Sequence, residues 1–201
     1  MEVNRRTQAE RTAATRAALI AAGRTLFAEH GFSGVGTQAI VAQAGVTRGA
    51  LYHQFADKDE LFVAVFEQVE EEVMGKVTEA VVAAGVDGPL EAMEVGVREW
   101  LELCADPGVH RIILLEAPVV LGWEAWREAG ARYAMGLIES LIEQAIADGT
   151  APAQPVRPLA HAMIGAVDEA AMYVARSAEP EKARVEMLDV ARRLIRAITI
   201  E

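Results

Sequence analysis

Apolar residues recur at three- and four-residue steps through most of the chain, and this periodicity limits the possible folds more than any other feature. No segment alternates apolar and polar residues in the way that is typical of a half-buried strand. Between Trp123 and Ala145 the apolar stripe continues for roughly 30 Å at 1.5 Å per residue, which predicts one long helix. The sequence therefore predicts an all-α fold of about nine helices.

Glycine and proline residues mark where the predicted helices end. The first helix is predicted to run from residue 7 or 8 to Glu29, and two short helices follow at 37–44 and 47–54. The fourth begins after Asp57, which forms a capping-box pattern with Glu60. The fourth helix is predicted to end within residues 85–89, and the remaining helices cover residues 90–105, 107–116, 122–148, 156–176 and 180–200.

The chain carries a net charge of −11, which is unusual for a protein that binds nucleic acid because phosphate contacts require Lys and Arg. The charge is unevenly distributed. The first 60 residues contain seven Lys or Arg and six Asp or Glu, whereas the remainder contains 12 basic and 24 acidic side chains. The sequence therefore predicts that any nucleic-acid contact lies within the first 60 residues.

The segment Gly34–Phe55 has the pattern of two short helices joined by a tight turn. Gly45 can adopt the left-handed conformation that the turn requires, and Thr47 is predicted to cap the second helix. The residues predicted to pack inward are Ile40, Val41, Ala44, Val46, Leu51 and Phe55. This pattern predicts a helix-turn-helix, whose second helix fits the major groove of DNA.

The residues that face outward from this second helix are suited to DNA. Gly49 and Ala50 allow close approach, and Arg48 can reach a base edge or a phosphate. Hydrogen-bond donors follow at Tyr52, His53, Gln54 and Lys58. Lys58 is predicted to contact a phosphate from the positive first turn of the fourth helix.

These residues resemble the TetR family of transcriptional regulators over residues 12–72. The resemblance rests on Leu-Phe-Ala-Glu-His-Gly-Phe, on Ile-Val-Ala-Gln-Ala-Gly-Val-Thr-Arg-Gly-Ala-Leu-Tyr-His-Gln-Phe, and on Lys-Asp-Glu-Leu-Phe. It implies DNA contacts by Thr37, Thr47, Arg48, Gly49, Ala50, Tyr52, His53 and Lys58. Two positions depart from the family pattern: Gly36 replaces a capping Thr, and Gln54 replaces a phosphate-binding His. Gln54 can still donate a hydrogen bond but cannot become cationic.

The segment His110–Arg127 is also similar to one subgroup of C-terminal domains in this family. The resemblance implies a helical domain that encloses an inducer and forms a homodimer, chiefly through its last two long helices. The predicted organisation is a flexible tail at 1–11, a DNA-binding domain at 12–72, and an inducer-binding and dimerisation domain at 73–201.

Large apolar side chains and two adjacent carboxylates are the candidate ligand residues of the second domain. The candidates for the pocket wall are Trp100, Trp123, Trp126, Tyr133 and Met163, although ordinary core packing is an alternative for each of them. Asp168 and Glu169 lie in an otherwise apolar helix, where a buried carboxylate needs a partner. That partner could be a donor across the dimer, a cationic inducer or a proton, and structural pairing is favoured over ligand recognition.

Other function classes find no support in the residues. Cys104 is the only cysteine and is predicted to be a buried thiol. The four histidines, His30, His53, His110 and His161, lack a ligand at helical spacing, so no metal is predicted. No phosphate loop, nucleotide fingerprint or nucleophile elbow is present, so neither a cofactor nor an enzymatic activity is predicted. The polar N-terminal residues and the absence of a membrane-length apolar run predict a cytoplasmic protein without a membrane partner.

The favoured hypothesis is a repressor that binds a pseudo-palindromic operator on double-stranded DNA as a homodimer and is released by a small apolar inducer. The acidic balance of the second domain, together with Asp168 and Glu169, raises the possibility of a cationic inducer. The alternatives are an activator or ligand-independent regulator on the same fold, and a helical carrier or enzyme.

Overall fold

A computed structural model of the chain describes residues 8–198, which form nine helices and contain no strand. The predicted all-α fold is confirmed. The first five helices are α1 (Gln8–His30), α2 (Thr37–Ala44), α3 (Arg48–Gln54), α4 (Lys58–Ala84) and α5 (Pro89–Leu103). Helix α6 consists of three consecutive segments, Pro107–His110, the π-helical Arg111–Glu116, and Ala117–Val120. The last helices are α7 (Trp123–Ala147), α8 (Val156–Arg176) and α9 (Pro180–Arg196).

Helix α1 begins at Gln8, as the helical pattern predicts, so residues 8–11 of the predicted flexible tail are helical, while residues 1–7 lie outside the described residues. Two other helix ends lie further from their predicted positions. Helix α9 ends at Arg196 rather than 200, and residues 199–201 also lie outside the described part. Helix α6 continues past Glu116 to Val120.

The continuation of α6 has a local cause. Pro118 has no N–H, so it cannot donate to the carbonyl of Leu114 four residues earlier, and a proline usually ends a helix for this reason. The chain stays helical here through a π-helical turn, which uses bonds over five residues instead of four. Arg111 and Ile113 belong to this π-helical turn, which contacts both α1 and α4.

Local capping sets the geometry of the N-terminal helices. Gly45 has a φ of 66°, and its N–H bonds to carbonyls at the end of α2. The Thr47 hydroxyl accepts from the Ala50 N–H at 3.2 Å. Asp57 accepts from the Glu60 N–H at 2.8 Å, while the Glu60 carboxylate accepts from the Ala56 N–H at 2.5 Å, so the predicted capping pattern is confirmed. Gly36 provides no side-chain cap for α2, as its departure from the family pattern implies.

A cluster of three aromatic rings forms the centre of the N-terminal core. Phe62 on α4 lies 5.3 Å, between ring centroids, from both Phe27 on α1 and Phe32 in the following loop. Leu51 and Phe55 of the α3 region are also fully buried and join the same core. The orientation of α3 is therefore determined by its packing against α1 and α2, with Leu51 and Phe55 in the same core as Phe62.

Two helices connect this N-terminal core to the rest of the molecule. Helix α4 extends from the aromatic cluster into the C-terminal half, and Arg24 of α1 pairs with its Glu72 at 2.5 Å. Helix α6 contributes Arg111, whose Nη1 donates to the carbonyls of Ala28 at 2.8 Å and Glu29 at 2.6 Å. These carbonyls lie in the last turn of α1, where the helix leaves acceptors unsatisfied. A displacement of α4 or α6 would therefore be passed to α1.

Helices α8 and α9 leave large apolar side chains on the surface of the single chain. Tyr173 on α8 is exposed, as are Val185, Val190 and Leu194 on α9. We refer to these four residues as the α8–α9 face.

Candidate functional site

The outward face of α3 brings together most of the residues that the sequence predicts to contact DNA. Arg48, Gly49, Tyr52 and His53 are exposed. The guanidinium of Arg48 lies 5.5 Å from the centre of the Tyr52 ring. A hydrogen bond with Arg48 lowers the pKa of the Tyr52 phenol below its usual value, and a hydrogen bond with Thr37 is the next largest cause. Thr37, at the start of α2, therefore joins the same polar surface.

The C-terminal end of α3 is held by a residue that the sequence analysis missed. Arg16 of α1 donates from Nη1 to the Gln54 carbonyl at 3.3 Å, and its guanidinium lies 4.3 Å from the centre of the Phe55 ring. The Gln54 side chain is half-buried, as is Ala50. No local pattern distinguishes Arg16 from the other arginines of α1, because its contact spans 38 residues.

Lys58 holds the loop between α1 and α2. Its Nζ donates to the carbonyls of Phe32 and Val35, both at 2.9 Å, and lies 3.9 Å from the centre of the Phe32 ring. An ammonium group has three N–H donors, so one is not used by these two bonds. The phosphate contact predicted for Lys58 stays a prediction, and the structure adds a structural role for this side chain.

A second candidate site is a cavity of about 100 Å³ lined by residues of α4, α5, α6, α7 and α8. Its wall is almost entirely apolar and includes the predicted residues Trp100, Trp126 and Met163. Three ionisable groups interrupt the apolar wall: Glu70, Arg127 and Asp168. An apolar cavity with a few convergent polar groups is typical of a small-molecule site.

Three residues predicted for the pocket wall lie elsewhere. Trp123 is 63% exposed at the start of α7, and its ring packs on Trp126 at a centroid distance of 5.0 Å. Tyr133 is half-buried but does not line the cavity. Glu169 is exposed, because one face of α8 is uncovered in the single chain and successive residues point about 100° apart.

Asp168 has a partner within its own chain. Its Oδ2 accepts a hydrogen bond from Arg127 Nη1 at 2.6 Å, and the side chain is 13% exposed. The Arg127 guanidinium also lies over the indoles of Trp126 and Trp123, at 4.9 and 5.2 Å. Burial raises the pKa of Asp168 to about 6, and the charge and hydrogen bond of Arg127 oppose that rise. The interpretation that favoured structural pairing therefore describes Asp168 but not Glu169.

Glu70 is the cavity residue that the sequence analysis missed. It is 3% exposed and has no hydrogen-bond or ion-pair partner within residues 8–198. The pKa of Glu70 is raised to about 8. Burial is the main cause, and the negative charge of Asp168 is the second. A signal was present, since Phe66, Glu70, Val73 and Val77 share one helical stripe. The run of three glutamates at 70–72 instead resembles a solvated face.

Other buried polar groups lie around the cavity. The indole N–H of Trp100 and Nδ1 of His110 are buried without a hydrogen-bond partner in the described part of the chain. Cys104 is buried, as predicted, and burial raises the pKa of its thiol, which therefore stays protonated. Of these groups, only Trp100 lines the cavity.

Neither a membrane span nor a metal-binding cluster is present in the part of the chain that the structure describes. Between residues 8 and 198, no helix is both long enough and apolar enough to cross a bilayer. The same residues contain no group of three or more His, Cys, Asp or Glu side chains that could hold a metal ion.

A helix-turn-helix joined by a long helix to a helical body with an internal cavity defines the class of one-component regulators, and comparison with known proteins identifies the family. Residues 90–198 match the family described as "Tetracyclin repressor-like, C-terminal domain", and residues 19–65 match "Bacterial regulatory proteins, tetR family". The chain therefore belongs to the TetR family of transcriptional regulators.

Individual relatives agree with this assignment. The crystal structure of a TetR-family transcriptional regulator from Pectobacterium atrosepticum is 29% identical, with a TM-score of 0.80 over 98% of this chain and 99% of that one. The TetC protein of transposon Tn10 from Escherichia coli is 25% identical over 143 residues, 71% of each chain. The HTH-type transcriptional repressor BepR from Brucella suis is 37% identical over 114 residues, 54% of this chain and 51% of that protein.

Proposed function

We propose that the protein is a ligand-responsive repressor that binds a pseudo-palindromic operator as a homodimer and releases it when a small molecule occupies the cavity. The observation that carries the proposal is the polar surface of α3, where Arg48, Tyr52 and Thr37 are arranged together above a buried anchor, Leu51. The repressor role is supported by the description of BepR, a relative that is 37% identical over 114 residues. The site of action is the cytoplasm, where bacterial DNA is accessible.

We propose a separate role for each half of the fold. Residues 12–72 bind DNA, and residues 73–201 bind the inducer and dimerise. The α8–α9 face supports a homodimer, because exposed apolar side chains on two long helices favour packing against a second copy. Two copies of α3 in successive major grooves would lie about 34–36 Å apart.

The coupling between the two halves would use α4 and α6. Glu70 of α4 and Ile113 of α6 line the cavity, and the same helices contact α1 through Glu72 and Arg111. An inducer can shift the protein from its DNA-binding form only as far as its affinities for the two forms differ. We infer that a molecule that expands the cavity moves both helices and changes the separation of the two α3 helices.

The Arg48→Ala variant tests the proposed DNA contact. If Arg48 reads a base, we expect operator affinity to fall by about 1–3 kcal/mol, roughly 5- to 150-fold, and sequence preference to relax at one position per half-site. Affinity and preference are measured by fluorescence anisotropy with operator variants. Arg157→Ala is the matched control, because Arg157 is an exposed arginine at the start of α8. Equal losses on operator and random DNA would limit Arg48 to a backbone contact, and no loss would contradict the proposed contact.

A further inference from the structure

We propose that the cavity binds a compact apolar amine in its cationic form, with the carboxylate of Glu70 as the counterion. This inference rests on the proposed function, in which the cavity is the inducer site. It names the chemical class of the inducer, which neither the family nor the relatives specify.

The first argument is the charge balance of the cavity wall. Three ionisable side chains line it, and two of them, Arg127 and Asp168, are joined at 2.6 Å. Arg127 is further held by the two indoles of Trp123 and Trp126. Glu70 is left over, with more than nine-tenths of its surface buried and with no hydrogen-bond or ion-pair partner among the residues that the structure describes. A buried carboxylate without a partner is costly, and a bound cation would supply that partner.

The second argument is the position of the Glu70 carboxyl group. Its Oε1 lies beside Gly130 of α7, where an added Cβ would be 3.7 Å away, and Gly130 also lines the cavity. The carboxyl group therefore lies where α4 meets α7, on the part of that contact that forms the cavity wall. An anionic ligand placed there would meet the negative charge of Asp168 and would keep Glu70 protonated, so it would gain no ion pair with Glu70.

The remaining wall determines the body of the ligand. Trp100, Trp126, Met93 and Met163 offer aromatic and thioether surfaces, which attract both apolar groups and alkylammonium ions. A volume of about 100 Å³ is several times the roughly 10–15 Å³ that one buried water needs on the same measure. The cavity therefore admits a molecule of the size of a substituted benzene.

Proton release is a consequence of this arrangement. The ionisable groups near Glu70 are Asp168 on α8, Arg127 and Tyr133 on α7, and Cys104 after α5. Burial raises the pKa values of Tyr133 and Cys104, which keeps both neutral, whereas Arg127 stays cationic. Glu70, with a pKa of about 8, is mostly protonated at pH 7. Binding of a cation favours the carboxylate, so the carboxyl proton passes to the buffer and up to one proton is released for each amine bound.

The test compares three probes that share a phenylalkyl body: 2-phenylethylamine, 2-phenylethanol and 3-phenylpropanoate. Each is titrated into the full-length protein by calorimetry at pH 7, in two buffers with different ionisation enthalpies. We expect the amine to bind at least about tenfold tighter than the alcohol and the acid, since one ion pair of this kind exceeds 1.4 kcal/mol. We also expect release of close to one proton with the amine and none with the alcohol.

Two variants locate the effect. Glu70→Gln keeps the shape of the side chain but cannot ionise, so the preference for the amine should fall to within about threefold and the proton release should disappear. Glu71→Gln removes the same charge from the exposed neighbour and should behave as the wild type. If the Glu70→Gln variant folds poorly, the wild-type protein's preference for the amine and its proton release still test the proposal.

The outcomes separate this inference from the proposed function. Equal or tighter binding of the alcohol or the acid, amine binding without proton release, or failure of the amine to bind would overturn the cationic class. Operator binding by the wild-type protein is measured in parallel without any probe. If operator binding is present while the amine preference is absent, only the ligand class is wrong; if operator binding is absent, the proposed function itself fails.

Discussion

The Glu70→Gln variant is expected to be more stable than the wild-type protein at pH 8 or above by several kcal/mol, with a much smaller difference at pH 4.5. Burial raises the pKa of Glu70 from 4.5 to about 8. Because one pKa unit corresponds to about 1.4 kcal/mol, this displacement is worth on the order of 5 kcal/mol at most. Glutamine has the same shape and cannot ionise, so it removes this penalty.

The sign of the pH dependence follows from the raised pKa. Below pH 4.5 the carboxyl group is protonated in both the folded and the unfolded chain, and its stabilising contribution is fully present. Between pH 4.5 and 8 the unfolded chain loses the proton while the folded chain keeps it, so the free energy of unfolding decreases as the pH rises. Above pH 8 the folded chain holds a buried carboxylate and the loss is complete. The pKa of Asp168 is raised from 3.8 to about 6, so Asp168 also lowers the free energy of unfolding as the pH rises, but between pH 3.8 and 6. This contribution is expected in both the wild-type protein and the Glu70→Gln variant.

Urea unfolding from pH 4.5 to 8.5 at one fixed protein concentration measures this difference. Glu71→Gln is the control, because it removes an exposed carboxylate one residue away on the same helix. Wild-type and Glu70→Gln curves that stay parallel over the whole pH range would contradict the burial and isolation of Glu70.

The Phe62→Ala variant is expected to lower the free energy of unfolding by about 3–5 kcal/mol. Phe62 is fully buried between the rings of Phe27 and Phe32, so truncation leaves a cavity in the centre of the N-terminal core. The loss should extend to operator affinity, because Leu51 and Phe55, which anchor α3, belong to the same buried core as Phe62. Phe62→Leu, which keeps most of the volume, should lose less, about 1–2 kcal/mol. Urea unfolding gives both values, and a loss below 1 kcal/mol for the alanine variant would contradict the packing described for this core.

The parts of the fold that local sequence determines are those that could be predicted. The turn at Gly45, the cap at Thr47 and the Asp57–Glu60 pair each depend on residues within four positions of one another. The buried spacing of Leu51 and Phe55 likewise follows from a helical period. Residues 34–60 therefore carry enough local information to predict both the helix-turn-helix and its outward face.

The cavity depends on contacts between distant residues and could be predicted only in part. The partner of Asp168 is 41 residues away in sequence, so the adjacent carboxylates 168 and 169 could not be assigned different environments. Trp123 continues the apolar stripe of α7, yet it lies at the helix start where the core no longer covers it. Glu70 lies on the buried stripe of α4, but two further glutamates follow it and suggest a solvated surface.

The continuation of α6 through Pro118 is a case where a correct local rule gave the wrong boundary. A proline after Glu116 predicts a helix end, and the π-helical turn at 111–116 allows the helix to continue instead. This turn keeps Arg111 against the end of α1 and Ile113 at the cavity wall. The connection between the two halves thus depends on how the chain accommodates Pro118, which the presence of a proline alone does not determine.

Selection of bound sequences from a pool of random DNA duplexes tests the central claim most directly. The wild-type protein is predicted to enrich a pseudo-palindrome whose half-sites are centred about 10 base pairs or a multiple of one helical turn apart, as expected for a two-fold dimer that presents two copies of α3. The same selection with Arg48→Ala should relax at least one position in each half-site, whereas Arg157→Ala should enrich the wild-type sequence. Enrichment of no sequence over the starting pool, or of a single asymmetric half-site by a monomer, would contradict the account.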